Sequence, residues 1–318
     1  MKNAGADVEV IIADNHSTDG SDKWIASEYP ACNIVRMDQN YGYCGGNNRA
    51  AASATGDILI FLNNDVEVSE NWLQPLDELF RDPAVQIAQP KLLSVTRPHE
   101  FEYAGASGGF IDRLGYPFCR GRLMNHLEAD IGQYDDTREV FWASGAAFAI
   151  RKDTFFEMGG FDESFEFHME EIDLCWRVQH AGGLVMAEPK SIVWHYGGGS
   201  LPAQNPRKIY YNFRNSLYML TKNATGPLFP KIFQRLLLDG LAGLQFLLKG
   251  QAGFIFAILR AHFHYYSALP SLLQKRKKLQ ERHPSSIPSI RPGLIYHRLI
   301  PLDVHLRKKR RFSELDFG

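Results

Sequence analysis

The chain has 318 residues, of which 45% are hydrophobic and 22% are charged, and its formal net charge is -1. This length can bury one large core, or one core and a smaller appendage. The near-neutral charge argues against a protein that binds nucleic acid over its whole surface, because such proteins are usually basic. Four cysteines without a CxxC pair favour a reducing, cytoplasmic compartment and argue against a clustered zinc site.

The first ninety residues alternate short apolar runs with helix-like segments. Strands are predicted at residues 8–13, 34–35, 57–62 and 85–88, and helices near Trp24 and over residues 47–54 and 72–81. This spacing predicts βαβ units in an α/β fold with a mainly parallel sheet. Polar segments follow Ala13, Met37 and Leu62, so we expect them to meet at the edge of the sheet where such folds bind ligands.

The second half is less regular. Residues 91–134 are rich in glycine and aromatics, residues 140–151 are small and apolar, a helix is predicted to begin near Met169, and a last short strand covers residues 192–194. From Pro206 the composition becomes helical, aromatic and basic. We therefore place a boundary near Ser200, which gives a region 1–205 and a helical region 206–318.

Asn63-x-Asp65 follows an apolar strand. A carboxylate there can hold a divalent cation and leave positions open for phosphate oxygens. The alternative interpretation is a turn with a helix N-cap, which the same residue types favour.

Two further segments carry ionisable groups. Glu170 and Glu171 open a helix, where they either complement the helix dipole or supply a general base. His195 stands at a strand end before the glycine run 197–199, as a structural residue or as a ligand of Mn²⁺, and the glycines would let the loop close over a phosphate. A loop is predicted over residues 38–46. Its segment 42–46 (GYCGG) permits close backbone approach to a ligand, but it matches neither a P-loop nor a dinucleotide fingerprint.

Six segments occur in the order ADNHSTDGS, DQNYGYCGGNNRA, FLNNDVEV, FWASGAAFAIRKD, GGFDESFEFHMEEIDLCWR and VWHYGGGS. Together they resemble the family-two glycosyltransferases, which are inverting enzymes of the GT-A fold, and most of all their rhamnosyltransferase-like branch. Each segment alone is weakly specific, but six in the family's order are highly specific. The resemblance covers about residues 8 to 200.

The resemblance implies a role for each matching residue. It implies Glu171 as catalytic base with Glu170 as the neighbouring candidate, and Asp65 and His195 as ligands of Mn²⁺ or Mg²⁺. The position of the first acid in the family's Asp-x-Asp motif is taken by Asn63. The donor side would comprise Asp14, Asn15, Asn40, Gly45, Gly46 and Asn63, and the acceptor side Trp142, Ser144 and Gly145.

The implied reaction moves a sugar from a dTDP- or UDP-sugar, with rhamnose as one candidate, to a glycan or lipid-linked acceptor in cell-surface polysaccharide synthesis. The cation would stabilise the leaving diphosphate. Glu171 would take the proton of the acceptor hydroxyl, which attacks from the opposite face and inverts the anomeric configuration.

This sequence departs from the family's pattern at its start. Family members begin with a strand and helix that contribute to base binding, and this sequence starts in what matches their second strand. We therefore expect unpaired strand edges beside an incomplete nucleotide pocket.

Residues 206–279 are rich in Leu, Phe and Tyr, and basic runs lie at 275–278 and 307–311. The apolar stretch 236–259 is interrupted by Asp239, Gln245 and Lys249, which argues against a spanning helix. We expect amphipathic helices on the inner face of the plasma membrane, with basic residues towards anionic lipid. The alternatives are an appendage packed on the catalytic domain and, as a lesser explanation, contact with nucleic acid.

Two other function classes stay open. A sugar nucleotidyltransferase uses a similar sheet, although segments 170–174 and 193–200 fit a sugar transferase better. A non-catalytic protein that binds sugar nucleotides, or a membrane scaffold, is the other.

Overall fold

The computed structural model of the chain describes residues 8–103, 105–197, 205–282 and 290–317. The predicted boundary at Ser200 and the glycines at 198 and 199 lie outside these residues. The helices are α1 (Ser21–Glu28), α2 (Gly42–Ala51), α3 (Leu73–Leu79), α4 (Lys152–Glu157), α5 (Glu170–His180), α6 (Pro206–Asn223), α7 (Leu228–Leu248), α8 (Ala252–Arg282) and α9 (Ile300–His305). The strands are β1 (Ile11–Asp14), β2 (Asn33–Arg36), β3 (Ile58–Leu62), β4 (Val66–Val68), β5 (Val85–Ser94), β6 (Gly109–Asp112), β7 (Pro117–Cys119), β8 (Arg122–Leu123), β9 (His126–Leu127), β10 (Arg138–Glu139), β11 (Ala147–Arg151), β12 (Leu184–His195) and β13 (Ile295–Tyr296).

The central sheet has the order β10-β12-β5-β11-β3, and β4 pairs with the end of β12. The predicted α/β class is confirmed, but this sheet is mixed rather than mainly parallel. β12 pairs in parallel with β5, whereas β11 runs antiparallel to both β5 and β3. Strands β3, β5 and β12 therefore share one direction, and their carboxyl ends lie on the same side of the sheet.

Two strands are longer than the sequence predicts, because polar side chains inside them are buried with partners. β5 continues through Gln89, which accepts a hydrogen bond from the Ser144 amide at 2.8 Å, and Lys91, whose Nζ lies 2.9 Å from Asp130. β12 extends to twelve residues and has an irregularity between Glu188 and Ile192. Neither strand is a continuous apolar run, so the hydrophobic pattern marked only part of each.

A second sheet has the order β13-β6-β7-β8-β9. Strands β6 to β9 come from the segment predicted to be irregular, and β13 comes from the C-terminal region. Its strands have two to four residues, too few for a visible alternation. Its aromatic side chains Phe110 and Phe118 pack on Phe312 and Phe317 near the end of the chain. This sheet thus belongs to the main core.

The segment 42–46, predicted as a loop, forms the start of α2. The side-chain oxygens of Asn15 and Asn40 accept hydrogen bonds from the amides of Tyr41 (2.8 Å) and Gly42 (2.9 Å), which are at the beginning of this helix. These contacts satisfy amides that a helix start leaves unpaired. The asparagines of the polar loops therefore begin a helix at the point where glycines suggested a loop.

Two strand edges face one another across a cleft. Within the described residues, β1 pairs with β2 and β3 pairs with β11, so each has one edge without a neighbouring strand. Residues 8–13 and 57–62 both line the cleft, and Ile60 and Leu62 of β3 are exposed there. The expected unpaired edges are therefore present beside the cleft.

Candidate active site

A cleft of about 1870 Å³ runs from these two edges to the carboxyl ends of β3 and β12 and to the start of α5. Most of the residues predicted to act in catalysis or binding line it. They are Asp14, Asn15, Gly46, Asn63, Asp65, Ser144, Gly145, Glu170, Glu171 and His195. The topology thus brings together residues that lie up to 181 positions apart in the sequence.

Asp65 and His195 meet because β4 pairs with the end of β12. The segment from Asn63 to Asp65 reverses the chain after β3, and His195 then lies opposite Val66 in the antiparallel register. The Tyr196 amide donates to the Asp65 carbonyl at 3.0 Å. This pairing leaves His195 Nε2 3.1 Å from Asp65 Oδ1, at the cleft wall.

The two side chains fit a divalent cation as part of an open coordination shell. In the described parts of the chain, no group of three or more His, Cys, Asp or Glu side chains could hold a metal alone. A carboxylate oxygen and an imidazole nitrogen that share a cleft wall nevertheless offer two ligands, and Mg²⁺ or Mn²⁺ commonly takes the rest from phosphate and water. Burial disfavours the imidazolium, but the carboxylates of Glu102 and Asp65 outweigh it, so the pKa of His195 is raised.

Glu170 and Glu171 form the first turn of α5. One carboxylate oxygen of each is buried without a hydrogen-bond partner among the described residues. Burial raises the pKa of Glu171 to about 7, and burial together with the charge of Glu171 raises the pKa of Glu170. A carboxylate with a pKa near neutral, a free oxygen and access to a cleft is equipped to accept a proton.

The turn before α5 is held in an unusual backbone conformation. Glu166, His168 and Met169 all have φ between 62° and 73°, a region that non-glycine residues seldom adopt. Asn215 of α6 donates to the carbonyls of Phe165, Phe167 and His168 at 2.8–2.9 Å. A helix from the predicted C-terminal region therefore fixes the turn that places the two glutamates.

The predicted acceptor side is divided between the cleft and the core. Gly145 lies in the cleft wall, and a Cβ there would stand 3.8 Å from the Glu171 side chain and 3.5 Å from the Tyr43 hydroxyl. Tyr43 Oη donates to the Gly145 carbonyl at 2.9 Å. Trp142, in contrast, is buried, packs on Gly109 and donates to the Phe110 carbonyl, so it supports the wall from behind.

Some of the residues predicted to bind the donor line the cleft, and others do not. Asn15 bridges Asn40 and the Gly42 carbonyl, and Gly46 packs against Asn15, so these residues join β1 to α2 beside the cleft. Asn40 supports this bridge but is not among the cleft-lining residues. Gly45 faces Tyr41 and Arg49 on another side of α2 and is also absent from the cleft lining.

Sequence reasoning missed four residues near the predicted site. Tyr43 lies under Gly145, and Glu102 lies 3.3 Å from His195 Nδ1. His168 and Lys208 line the cleft, where burial and the nearby ammonium lower the pKa of His168 to about 4. None of the four belongs to a sequence motif or periodic pattern that predicts a functional residue.

Comparison with known proteins agrees with this geometry. Residues 2–153 match the model of Glycosyl transferase family 2. The chain is 28% identical over 214 residues to N-acetylgalactosaminyltransferase 6 of Drosophila melanogaster, covering 65% of this chain and 32% of the relative. It is 28% identical over 195 residues to the O-antigen biosynthesis protein RfbC of Myxococcus xanthus, covering 60% of this chain and 15% of the relative.

A third relative is the N-acetylglucosaminyl-diphospho-decaprenol L-rhamnosyltransferase of Mycobacterium tuberculosis, 28% identical over 220 residues that cover 59% of this chain and 66% of that protein. The chain thus spans a third or less of the first two relatives. A solved structure of GalNAc-T7 with UDP, GalNAc and Mn²⁺ superposes with a TM-score of 0.52 and 18% identity, covering 67% of this chain and 41% of the other. The fold is that of the GT-A glycosyltransferases, and residues 2–153 are similar to glycosyl transferase family 2.

Proposed function

We propose that this protein transfers a sugar from a nucleoside-diphosphate donor to a hydroxyl group of a glycan or lipid-linked acceptor, with inversion. The observation that carries the proposal is that Glu171, with a pKa of about 7 and a free carboxylate oxygen, opens onto the same cleft as Asp65 and His195. A base and a pair of cation ligands in one cleft are what such a transfer needs.

The chain's own residues would act as follows. Glu171 takes the proton from the acceptor hydroxyl as its oxygen bonds to the anomeric carbon. The bond from that carbon to the diphosphate oxygen breaks, and the nucleoside diphosphate leaves with the bonding electrons. Attack and departure on opposite faces invert the configuration without a covalent enzyme intermediate.

Asp65 and His195 would hold Mn²⁺ or Mg²⁺, which when bound supplies positive charge at the leaving diphosphate. Lys208 is also in the cleft wall and offers a fixed cation for the same phosphates. On the other side of the cleft, the half-buried Asp14 at the end of β1 and the adjacent Asn15 would contact the nucleoside.

For the donor we propose a dTDP- or UDP-sugar, with L-rhamnose as the first sugar to test, and for the process cell-surface polysaccharide synthesis. The support is similarity to an L-rhamnosyltransferase and to an O-antigen biosynthesis protein.

We also propose that the protein works at the inner face of the plasma membrane. Among the described residues, no helix is long and apolar enough to cross a bilayer. α7 and α8 nevertheless expose a row of large apolar side chains, namely Phe229, Phe233, Leu237, Leu241, Leu244, Leu248, Phe256, Leu259, Phe263 and Tyr266. Asp239 is the one acidic residue between positions 206 and 280, and it is buried. An apolar surface without negative charge suits an anionic bilayer.

The decisive experiment is transfer from dTDP-rhamnose and a panel of UDP-sugars to a lipid-linked N-acetylglucosamine acceptor, with Mn²⁺ and with a chelator. Product formation that requires the metal, with the new linkage opposite in configuration to the donor by NMR, supports the proposal. Release of pyrophosphate from a sugar phosphate and a nucleoside triphosphate would instead identify a nucleotidyltransferase. Donor binding without turnover over the whole panel would favour a non-catalytic binding protein.

A further inference from the structure

His195 lies between two carboxylates that come from different parts of the chain. Its Nε2 is 3.1 Å from Asp65 Oδ1, and its Nδ1 is 3.3 Å from Glu102 Oε1. Asp65 faces the cleft after β3, whereas Glu102 lies in the segment between β5 and β6. Each ring nitrogen of the histidine therefore has one carboxylate oxygen within 3.3 Å, although only the contact of Nε2 with Asp65 has hydrogen-bond geometry.

Glu102 is held rigidly. Its residue is 6% exposed, and its amide donates to the Leu92 carbonyl at 3.0 Å, which ties the segment to β5. On the opposite side of the Glu102 carboxylate lies the backbone of Gly197, which has a φ of 64°. The approach is so close that a Cβ at residue 197 would be 2.9 Å from Glu102 Oε1. The backbone on both sides therefore confines the carboxylate to the position beside His195.

The charge of Glu102 is also compensated locally. It acts electrostatically on Arg122 and on Lys208, two cations that come from β8 and α6. The Arg122 guanidinium in turn stacks over the Tyr103 ring at 4.3 Å. A buried carboxylate with two nearby cations can remain beside the histidine without a prohibitive desolvation cost.

We propose that Glu102 is a positioning residue that holds the proton of His195 on Nδ1 and so leaves the Nε2 lone pair directed, with Asp65, at a divalent cation. Histidines that bind metals usually donate their other ring N–H to a carboxylate or carbonyl, which fixes the tautomer and ring orientation. The inference rests on the cation site of the proposed function and adds the residue that orients it.

The test measures Mn²⁺ binding, without nucleotide, by the loss of the free-ion signal in electron paramagnetic resonance. Glu102→Gln is expected to raise the dissociation constant about 10- to 100-fold. Glu100→Gln is the matched control, because Glu100 is two residues away and pairs with Arg97 at the surface. An equal Mn²⁺ affinity of wild type and Glu102→Gln would overturn the role of Glu102, and no Mn²⁺ binding by wild type would overturn the cation site as well.

A measurement on the unmutated chain covers the case in which Glu102→Gln does not fold. In protein labelled with ¹⁵N-histidine and saturated with the diamagnetic ion Mg²⁺, at a pH where the imidazole is neutral, the His195 signals are assigned by their loss in His195→Gln. We expect the proton on Nδ1 and an unprotonated Nε2. A proton on Nε2 would contradict the proposal whatever the variants show.

Discussion

α6 and the outer faces of α7 and α8 come from one predicted C-terminal region, yet they relate to the rest of the molecule in opposite ways. α6 is largely buried, and its Lys222 pairs with Asp173 of α5 at 2.9 Å and also with Asp162. α7 has three buried residues, Arg235, Asp239 and Gly243, and exposes most of its leucines. α6 holds the turn before α5, and the other two helices present an apolar surface.

The difference shows that a region of one composition contains both a helix packed against α5 and two helices with an exposed apolar face. The basic residues 275–278 also differ from one another in their contacts. Lys275 pairs with Asp162 at 2.7 Å and Arg276 donates to the Thr221 carbonyl, whereas Lys277 and Lys278 are exposed. Two of the four cations therefore support the fold, whereas Lys277 lies 3.7 Å from Glu281 at the surface and Lys278 is exposed. If α6 serves catalysis and the exposed faces of α7 and α8 serve membrane binding, separate substitutions should abolish each activity without affecting the other.

The largest expected effect is on catalysis. Glu171→Gln removes the proposed base but keeps its size, so kcat should fall about 10²- to 10⁴-fold. Donor affinity by calorimetry and vesicle binding should stay at wild-type values. Glu157→Gln is the control, because Glu157 is exposed at the end of α4. Turnover of Glu171→Gln within threefold of wild type would remove Glu171 from the mechanism.

The second effect concerns the apolar face. Leu237→Ser with Leu241→Ser should lower partitioning onto vesicles with anionic lipid at least about tenfold, since each buried leucine contributes roughly 1.5–3 kcal/mol. Turnover of a soluble acceptor should not change, because both side chains are more than half exposed. Flotation with anionic and with zwitterionic vesicles measures the first quantity.

Gln234→Ser with Gln245→Ser is the matched control for the leucine pair, because these polar residues are exposed on the same helix. Equal flotation of all three proteins would exclude α7 from the membrane surface. A wild-type chain that never floats would exclude the membrane proposal itself.

The sequence predicted the polar ends of β3 and β12 and the start of α5, because apolar runs followed by Asn, Asp, Glu and His leave a readable pattern. The family resemblance implied that Asp65 and His195 bind one cation, but the sequence did not show the register of β4 against β12 on which their contact depends. Nor did it predict Asn215 or Glu102. Buried polar residues that act through the shape of a loop have no periodicity, and their role becomes visible only when their partners are known.

The third prediction is a pH dependence that only the cleft should show. Burial raises the pKa of Glu171 to about 7, and a base acts only when it is ionised. In acid, kcat/KM for the acceptor should therefore fall about tenfold for each pH unit below 7 and level off above it. A profile that stays flat down to pH 5, near the usual pKa of an exposed glutamate, would argue against Glu171 as the base. Flotation over the same range measures whether the membrane surface is independent of this group.

The smallest expected effect tests whether α6 belongs to the catalytic region. Asn215→Ala removes the side-chain amide that donates to the carbonyls of Phe165, Phe167 and His168. The Phe165 carbonyl keeps its bond from Arg214, but the other two partly buried carbonyls lose this donor, at a cost of about 1–3 kcal/mol of unfolding free energy. The turn before α5 would then relax from its left-handed conformation, so kcat should fall more than donor affinity does. Urea denaturation and steady-state kinetics measure the two quantities. Asn212→Ala, on the same helix and half-buried, controls for a general loss of helix packing. A loss of stability without a change in kcat would make α6 a structural support and return the boundary to the position that composition predicts.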